Sequence, residues 1–331
     1  MTRYNIYGIG AALVDTEVEV SDAFLSNAGI DKGVMTLVDV ARQSELLAAL
    51  ASESGYLARK CGGSVCNSVV AASSLGAKTF FSGKVADDSD GALYIKDLKD
   101  AGVAFHAAGQ ESGITGKCLV MVTDDAERTM NTFLGASEAL SWREIDQASL
   151  LDSEWFYVEG YLVTGEVRTA ATKAAVELAK ANGIKIAVSL SDPFVVAEFG
   201  DAMRDVIGSG VDLIFCNKDE AMAFTGTKSL EAAGEALKQC TKTFAITDGA
   251  NGAITFDGDT MNQSKGVDAK AIDTNGAGDM FAGAFLYGIT SGKSYVWAAG
   301  LANDCAARVV AQFGPRLEAQ QFDNIKSQFS I

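Results

Sequence analysis

Apolar and polar positions repeat with two different periods along this chain. In the second half the rhythm is regular. Short β-type runs at 155–158, 184–190, 213–216 and 244–247 lead into segments with the 3.6-residue period of an amphipathic helix. Those segments are 166–182 and 195–207, then the pair 219–224 and 230–239. After 244–247 comes a hairpin-like pair around Asp257-Gly258. Apolar strands alternating with helices predict a parallel sheet covered on both faces. The first half is less regular. Residues 4–9 read as a strand ending in Gly8 and Gly10, 43–51 as a helix, 78–85 as a strand and 87–101 as an amphipathic helix. Short β-type runs at 18–20, 34–38, 105–107, 116–123 and 128–134 have no helices of matching length between them. They are expected to form one small, mostly antiparallel sheet beside the main one.

Near the C-terminus a β-type run, 266–272, precedes Asp273-Thr274-Asn275-Gly276-Ala277-Gly278-Asp279, and a helix-type run, 280–290, follows. Gly276 and Gly278 let the backbone approach a ligand closely. The unpaired N–H groups that open the helix, with the positive end of its dipole behind them, make a seat for an anion. Asp279 stands at the rim of that seat, where a carboxylate repels the anion. It is either the N-cap of the helix or a base that takes a proton from a hydroxyl while the seat holds charge developing on a phosphoryl group.

Other turns fall at the carboxyl ends of strands, where open α/β sheets bind ligands. Asp15 follows the first strand within the apolar stretch 11–14, and a buried Asp needs partners such as a pair of hydroxyls. Gly62-Gly63-Ser64 and Asn67 open a small-residue helix, 68–75. Asn217 and Glu220 open another, in the pattern of polar helix caps. Thr247-Asp248-Gly249 and Gly252 form a turn after a strand. Arg128 sits in a β-type run, where an Arg is ordinarily solvated.

Composition narrows the options. The 331 residues suffice for one large α/β domain with an appendage, or for two domains, and 48% are apolar, enough for a sizeable core. Net charge is −16, which argues against nucleic acid or an anionic membrane surface as partner but leaves room for a small anion held by local dipoles and Mg²⁺. The N-terminal residues carry no apolar signal core and no run of 18 apolar residues occurs, so a soluble cytoplasmic protein is expected. Six scattered cysteines suggest neither a zinc site nor a disulfide framework, and the lone His106 reads as structural or surface. The chemistry therefore rests on carboxylates, backbone amides and metal. No P-loop is present.

Together these motifs resemble the ribokinase-like (PfkB) carbohydrate kinases. The loop ending in Asp279 matches their C-terminal signature. The Gly62-Gly63 pair with Asn67 matches their N-terminal one, and Asn217 with Glu220 matches their Asn-x-x-Glu. Ser64 stands where ribokinases carry Lys, and the stretches Thr115-Gly116-Lys117-Cys118 and Leu190-Ser191-Asp192-Pro193-Phe194 are similar to the adenosine kinase branch, with Asp192 departing from it. The resemblance implies a three-layer α/β/α domain over residues 1–331, with a small β-sheet lid formed by about 12–41 and 104–135. It implies Asp279 as base, Gly276, Ala277 and Gly278 as anion hole, and Arg128 closing over the transferred group. Asp15, Gly62, Gly63, Ser64 and Asn67 are implied to hold the sugar, and Phe133, Tyr161 and Leu162 to neighbour a purine. Asn217, Thr247, Gly249, Gly252, Asn303 and Ala307 are implied to hold ATP, and Asn217 and Glu220 to organise Mg²⁺. The segment at Asp273 is where some relatives bind K⁺. The implied reaction is ATP-dependent phosphorylation of a primary hydroxyl, first of all the 5′-hydroxyl of adenosine. Inosine or guanosine, and ribose, a ketose or 2-keto-3-deoxygluconate, are the alternative acceptors, and a non-catalytic nucleoside-binding protein is the alternative outside catalysis. Monomer and homodimer both suit the implied lid.

Overall fold

The computed structural model describes residues 3–51, 56–106 and 111–331. In chain order its elements are β1 (Tyr4–Ile9), β2 (Leu13–Glu19), α1 (Asp22–Asn27), β3 (Met35–Leu37), α2 (Val40–Leu50), β4 (Tyr56–Gly62), α3 (Ser64–Leu75), β5 (Thr79–Ser82), α4 (Ser89–Asp100), β6 (Ala104–Phe105), β7 (Gly116–Val122) and β8 (Arg128–Phe133). They continue with α5 (Gln147–Leu151), β9 (Ser153–Val158), α6 (Glu166–Ala181), β10 (Lys185–Ser189), α7 (Pro193–Ile207), β11 (Val211–Asn217), α8 (Lys218–Thr225), α9 (Leu230–Leu237), β12 (Thr241–Thr247), β13 (Ala253–Phe256), β14 (Met261–Ser264), α10 (Ala277–Thr290), α11 (Tyr295–Val309) and α12 (Ala319–Phe329).

Nine strands make the main sheet, in the order β14-β13-β12-β11-β10-β9-β1-β5-β6. Neighbours from β12 to β6 are parallel, and the hairpin β13–β14 closes one edge antiparallel. Side chains alternate across the pleat. Trp155, Tyr157, Ala187, Leu213, Phe215 and Ala245 enter one core, while Phe156, Val158, Ile186, Val188, Ile214, Phe244 and Ile246 enter the other. Helices α3, α10 and α11 cover the first face, and α6, α7, α8 and α9 the second. This is the expected three-layer α/β/α arrangement. The strand order reverses beside β1, which pairs with β5 on one side and β9 on the other. The crevice at such a reversal is where ligands bind.

The second sheet has five strands, β3-β8-β7-β2-β4. It differs from the expectation in three ways. It is mixed: β2–β4 and β7–β8 are antiparallel, but β2–β7 and β3–β8 are parallel. Residues 104–105 pair in parallel with β5 in the main sheet instead, and residue 107 of that run lies outside the described residues. A strand the sequence reading lacked, β4, supplies one edge and delivers Gly62 to the crevice. Asp15 is correspondingly a residue of β2 and not of a turn. Two further corrections concern local structure. Residues 266–272 form no strand. His106 has a partner, its Nδ1 lying 3.9 Å from Asp146 Oδ2 at the surface. All six cysteines are free thiols. Among the described residues no helix is long and apolar enough to cross a membrane.

Candidate active site

Helix α10 begins where Gly276 turns left-handed, at φ +75°. A Cβ there would come within 2.5 Å of Pro315, so glycine is needed for both conformation and space. Gly276 is therefore the N-cap, and Asp279 lies in the first helical turn instead of capping it. The first amides of a helix have no intrahelical acceptor. Gly278 has nothing within 4 Å of its missing Cβ, leaving that side of the turn open. One turn beyond Asp279, on the same helix face, Gly283 would place a Cβ 2.2 Å from Ser68 O. This close approach brings α3 against α10.

The result is a hydrogen-bonded chain between the two helix starts. Ser64 Oγ donates to Asp279 Oδ1 at 2.6 Å, and Asn67 Nδ2 donates to Asp279 Oδ2 at 2.9 Å. Ser68 Oγ donates to the Asp279 carbonyl at 2.9 Å. Burial pushes the Asp279 carboxyl above its ordinary range, and the Ser64 and Asn67 bonds offset part of that. Asn67 is held in turn: Arg316 Nε donates to its Oδ1 at 2.9 Å. Because Arg only donates, this contact fixes which end of the Asn67 amide faces Asp279. Arg316 is itself buried and paired with Asp97 at 2.5 Å.

Around this floor opens a cavity of about 560 Å³. Asp15 projects into it from β2. Its carboxylate lies against the backbone of Gly62, where a Cβ would fall 1.9 Å from Oδ2, so that glycine makes room for the acid. Burial, then the nearby Glu17, pushes Asp15 well above its ordinary range. Gly63, at φ +99°, would carry a Cβ 2.1 Å from Ala11 O. Farther along the cavity, Asn217 and Glu220 form a reciprocal capping box at the start of α8, with Glu220 N to Asn217 Oδ1 at 2.8 Å and Asn217 N to Glu220 Oε2 at 3.0 Å. Burial raises Glu220 to about 7. Thr247 ends β12, Gly249 and Gly252 take positive φ in the turn after it, and Asn303 of α11 donates to Lys265 O at 3.0 Å. Ala307 lies one turn on.

Asp15, Gly63, Ser64, Asn67, Arg128, Tyr161, Asn217, Glu220, Thr247, Gly249, Gly252, Asn303 and Ala307 all line this one cavity, as do Gly276 through Asp279. Gly62 stands behind Asp15. Two residues expected beside a purine are elsewhere. Leu162 is fully buried in the core under α6 and α7, and Phe133 faces a separate cavity beside Lys84 and Glu138. Tyr161 does reach the cavity, its hydroxyl 3.3 Å from Asp192 Oδ2. The wall opposite the floor is made of Leu13, Val120, Met130 and Leu134 from the small sheet and its exit.

Two residues gathered here, Glu159 and Arg316, carry no motif signal in the sequence, and Asp273 of the signature loop takes a bracing place. Glu159, at the end of β9, accepts from Ala11 N and Val65 N, both at 3.0 Å, and so ties the end of β1 to the start of α3. Burial raises it to about 7. Asp273, fully buried, accepts from Asn275 N and Gly314 N at 2.8 and 3.1 Å, bracing the loop against the C-terminal turn. The position of Glu159 directly after a strand, and of Arg316 directly after Gly314-Pro315, were the available signals. Neither belongs to a motif.

A carboxylate set between hydroxyl-binding groups and the amides of a helix start can accept a proton from an alcohol while those amides turn toward an anion. Among the described residues no three His, Cys, Asp or Glu side chains cluster as a metal cage. The oxygen donors of Asn217 and Glu220, open to the cavity, suit a hard cation held largely through water and phosphate.

The pattern of the pfkB family carbohydrate kinases matches residues 30–321. Two solved structures are similar over nearly their whole lengths. One is the adenosine kinase from Sinorhizobium meliloti, 32% identical at a TM-score of 0.92, covering 98% of this chain and 99% of that one. The other is a probable sugar kinase from Rhizobium etli CFN 42, 31% identical at a TM-score of 0.93, covering 100% and 99%. The adenosine kinase of Saccharomyces cerevisiae is 28% identical over 342 residues, 96% of this chain and 98% of that protein. With family pattern, fold and cleft in agreement, this chain belongs to the pfkB family carbohydrate kinases and is an ATP-dependent kinase.

Proposed function

We propose that the enzyme transfers the γ-phosphoryl group of ATP to the 5′-hydroxyl of adenosine, giving AMP and ADP. The observation that carries this reading is the placement of Asp279: its carboxylate joins Ser64 and Asn67 on the acceptor side and adjoins the helix amides on the phosphate side. Asp15, Gly63 and Asn67 hold the ribose hydroxyls. Two vicinal hydroxyls give the buried Asp15 carboxylate the donors it lacks among the described residues. Asp279 takes the 5′-hydroxyl proton. The amides of Gly276, Ala277 and Gly278, with Arg128, stabilise the transferring group. ATP lies along Thr247, Gly249, Gly252, Asn303 and Ala307. Asn217 and Glu220 hold Mg²⁺, which neutralises charge on the triphosphate when bound. The small sheet acts as a lid that excludes water, the competing acceptor. Purine salvage in the cytoplasm is the setting such an activity fits.

The adenosine assignment is supported by the names of two of the relatives above and by the apolar wall beside Asp15. A second reading, a sugar as acceptor, is favoured by the probable sugar kinase among the similar structures and by the absence of Phe133 and Leu162 from the cavity. The test is ADP release from Mg-ATP with adenosine, inosine, guanosine, cytidine, ribose, fructose and 2-keto-3-deoxygluconate. Turnover on adenosine well above the others is expected. A free sugar preferred over every nucleoside overturns the assignment and leaves Asp279 in place.

A further inference from the structure

Asn275, in the Asp273–Asp279 loop, has no role in the reading above. Asn275 is buried and uses both ends of its amide. Nδ2 donates to Glu17 Oε1 at 3.1 Å, and Oδ1 accepts from Arg128 Nη1 at 3.3 Å. Both partners belong to the small sheet, Glu17 to β2 and Arg128 to β8. The backbone of Asn275 belongs to the floor: its N–H donates to Asp273 Oδ1, and the next residue is Gly276, the left-handed turn that opens the anion hole. One short amide thus touches two strands of the small sheet and the start of the hole.

The polarity of the contact follows from its partners. An ionised carboxylate only accepts and a guanidinium only donates. Of side chains this short, an amide can donate to the first and accept from the second, whereas aspartate cannot donate to Glu17. Simple packing does not call for Glu17 in this place. Its other oxygen, Oε2, is buried without a hydrogen-bond partner among the described residues, a costly state for such a group.

We propose that Asn275 is a positioning residue that couples the seating of the small sheet to the anion hole: with Glu17 and Arg128 both in register, the Gly276 turn is held and the guanidinium is aimed over the transferred group. The inference rests on reading the small sheet as a lid. It predicts that loosening this contact slows transfer without weakening acceptor binding, because Asn275 sits on the phosphate side of Asp279.

The test is a reciprocal exchange. Asn275→Asp leaves an acceptor for Arg128 and removes the donor to Glu17. It is expected to lower kcat by about 30- to 100-fold, the range for a lost coupling between contacting groups, with acceptor KM within about 3-fold and more ATP hydrolysed per acceptor phosphorylated. Glu17→Gln combined with Asn275→Asp restores the bond with donor and acceptor swapped, and should recover kcat to within about 5-fold of wild type. The single Glu17→Gln completes the cycle. A double variant as slow as Asn275→Asp, or Asn275→Asp with wild-type kcat and coupling, overturns the proposal. Hydrogen exchange over 13–19, 128–133 and 273–279, with and without a non-hydrolysable ATP analogue, gives a readout independent of the acceptor. Protection gained together in all three segments, lost in Asn275→Asp and regained in the double variant, is the expected result. Protection of 273–279 that ignores the state of the two strands overturns the coupling. Joint protection without acceptor turnover overturns only the choice of acceptor.

Discussion

The floor of the cleft and the small-sheet wall above it are built from opposite materials. On the floor, Arg316, Asn67, Ser64 and Asp279 form one connected polar chain, placed by glycines that tolerate no other residue: Gly276 against Pro315, Gly63 against Ala11 O, Gly283 against Ser68 O. The wall presents Leu13, Val120 and Met130 from strands that alternate in the ordinary way. Charge development at a reacting oxygen demands donors and acceptors at fixed distances. A wall of strands recognises shape, which many apolar side chains supply equally well. Changes on the floor should therefore act on kcat, and changes on the wall on KM and on the choice of acceptor.

The largest effect should come from Asp279→Asn. The amide keeps the shape and the bond from Asn67, with Ser64 turning to accept instead of donate, but it cannot take a proton, so kcat should fall about 10³-fold or more, at the upper end of general-base contributions, with the circular dichroism melt unchanged. Activity near wild type would remove Asp279 from the chemistry and dissolve the contrast between floor and wall. The same carboxylate gives a pH signature. Asp279 acts when ionised, and burial raises its pKa, so kcat/KM should decline on the acid side at a pH above the ordinary carboxylate range. Stability should move the other way. Glu159 and Glu220, raised by burial from 4.5 to about 7, bind their protons more tightly folded than unfolded. Their contribution is fully present below pH 4.5 and is lost as pH rises through 7, on the order of 3 kcal/mol for each fully buried group. A thermal midpoint that falls from pH 5 to pH 8, with kcat/KM declining only on the acid side, is the expected pair of curves.

Two glycines of the same loop sharpen the comparison within the floor. Gly276→Ala places a methyl in a left-handed turn against Pro315, and should cost about 2–4 kcal/mol of stability together with most of the activity. Gly278→Ala has open space at its Cβ and should leave the melting midpoint within about 1 °C. That open space is where the phosphoryl group is proposed to sit, so kcat should still fall, by about tenfold or more. Loss of activity without loss of stability at Gly278, beside loss of both at Gly276, separates the hole from its scaffold.

The sequence exposed these regions unequally for the same physical reason. Parallel strands with helices on both sides were legible from 155 onward because each strand must be apolar on both faces and each helix on one. The floor's loop was legible because a glycine turn and a carboxylate at a helix start each restrict the residue to one or two types. Asp279 and Gly276 announced themselves; only the helix start was misplaced, since Gly276 and not Asp279 caps α10. Glu159 and Arg316 were hidden because each acts through one long-range bond that local spacing does not encode. On the wall, two of three residues inferred by resemblance point elsewhere, and residues 104–105 pair with the main sheet. Period-2 alternation says which face is apolar, but not which sheet the strand joins.

The smallest effect should be the most informative about the acceptor. Met130→Ala on β8 removes apolar surface from the cavity wall while leaving the helix starts untouched. Met130 is only partly buried, so the lost contact is worth about 1 kcal/mol toward a bound acceptor, or roughly a fivefold rise in KM. If a nucleobase rests on this wall, KM for adenosine should rise by that amount while kcat changes less than twofold, and KM for ATP should not move. A free sugar, held by Asp15, Gly63 and Asn67 alone, does not extend to Met130, and its KM should be indifferent to the same substitution. Should kcat fall instead with KM unchanged, the wall would be reporting on the seating of the sheet through Arg128, two residues away on the same strand, and recognition would have to be sought nearer Tyr161.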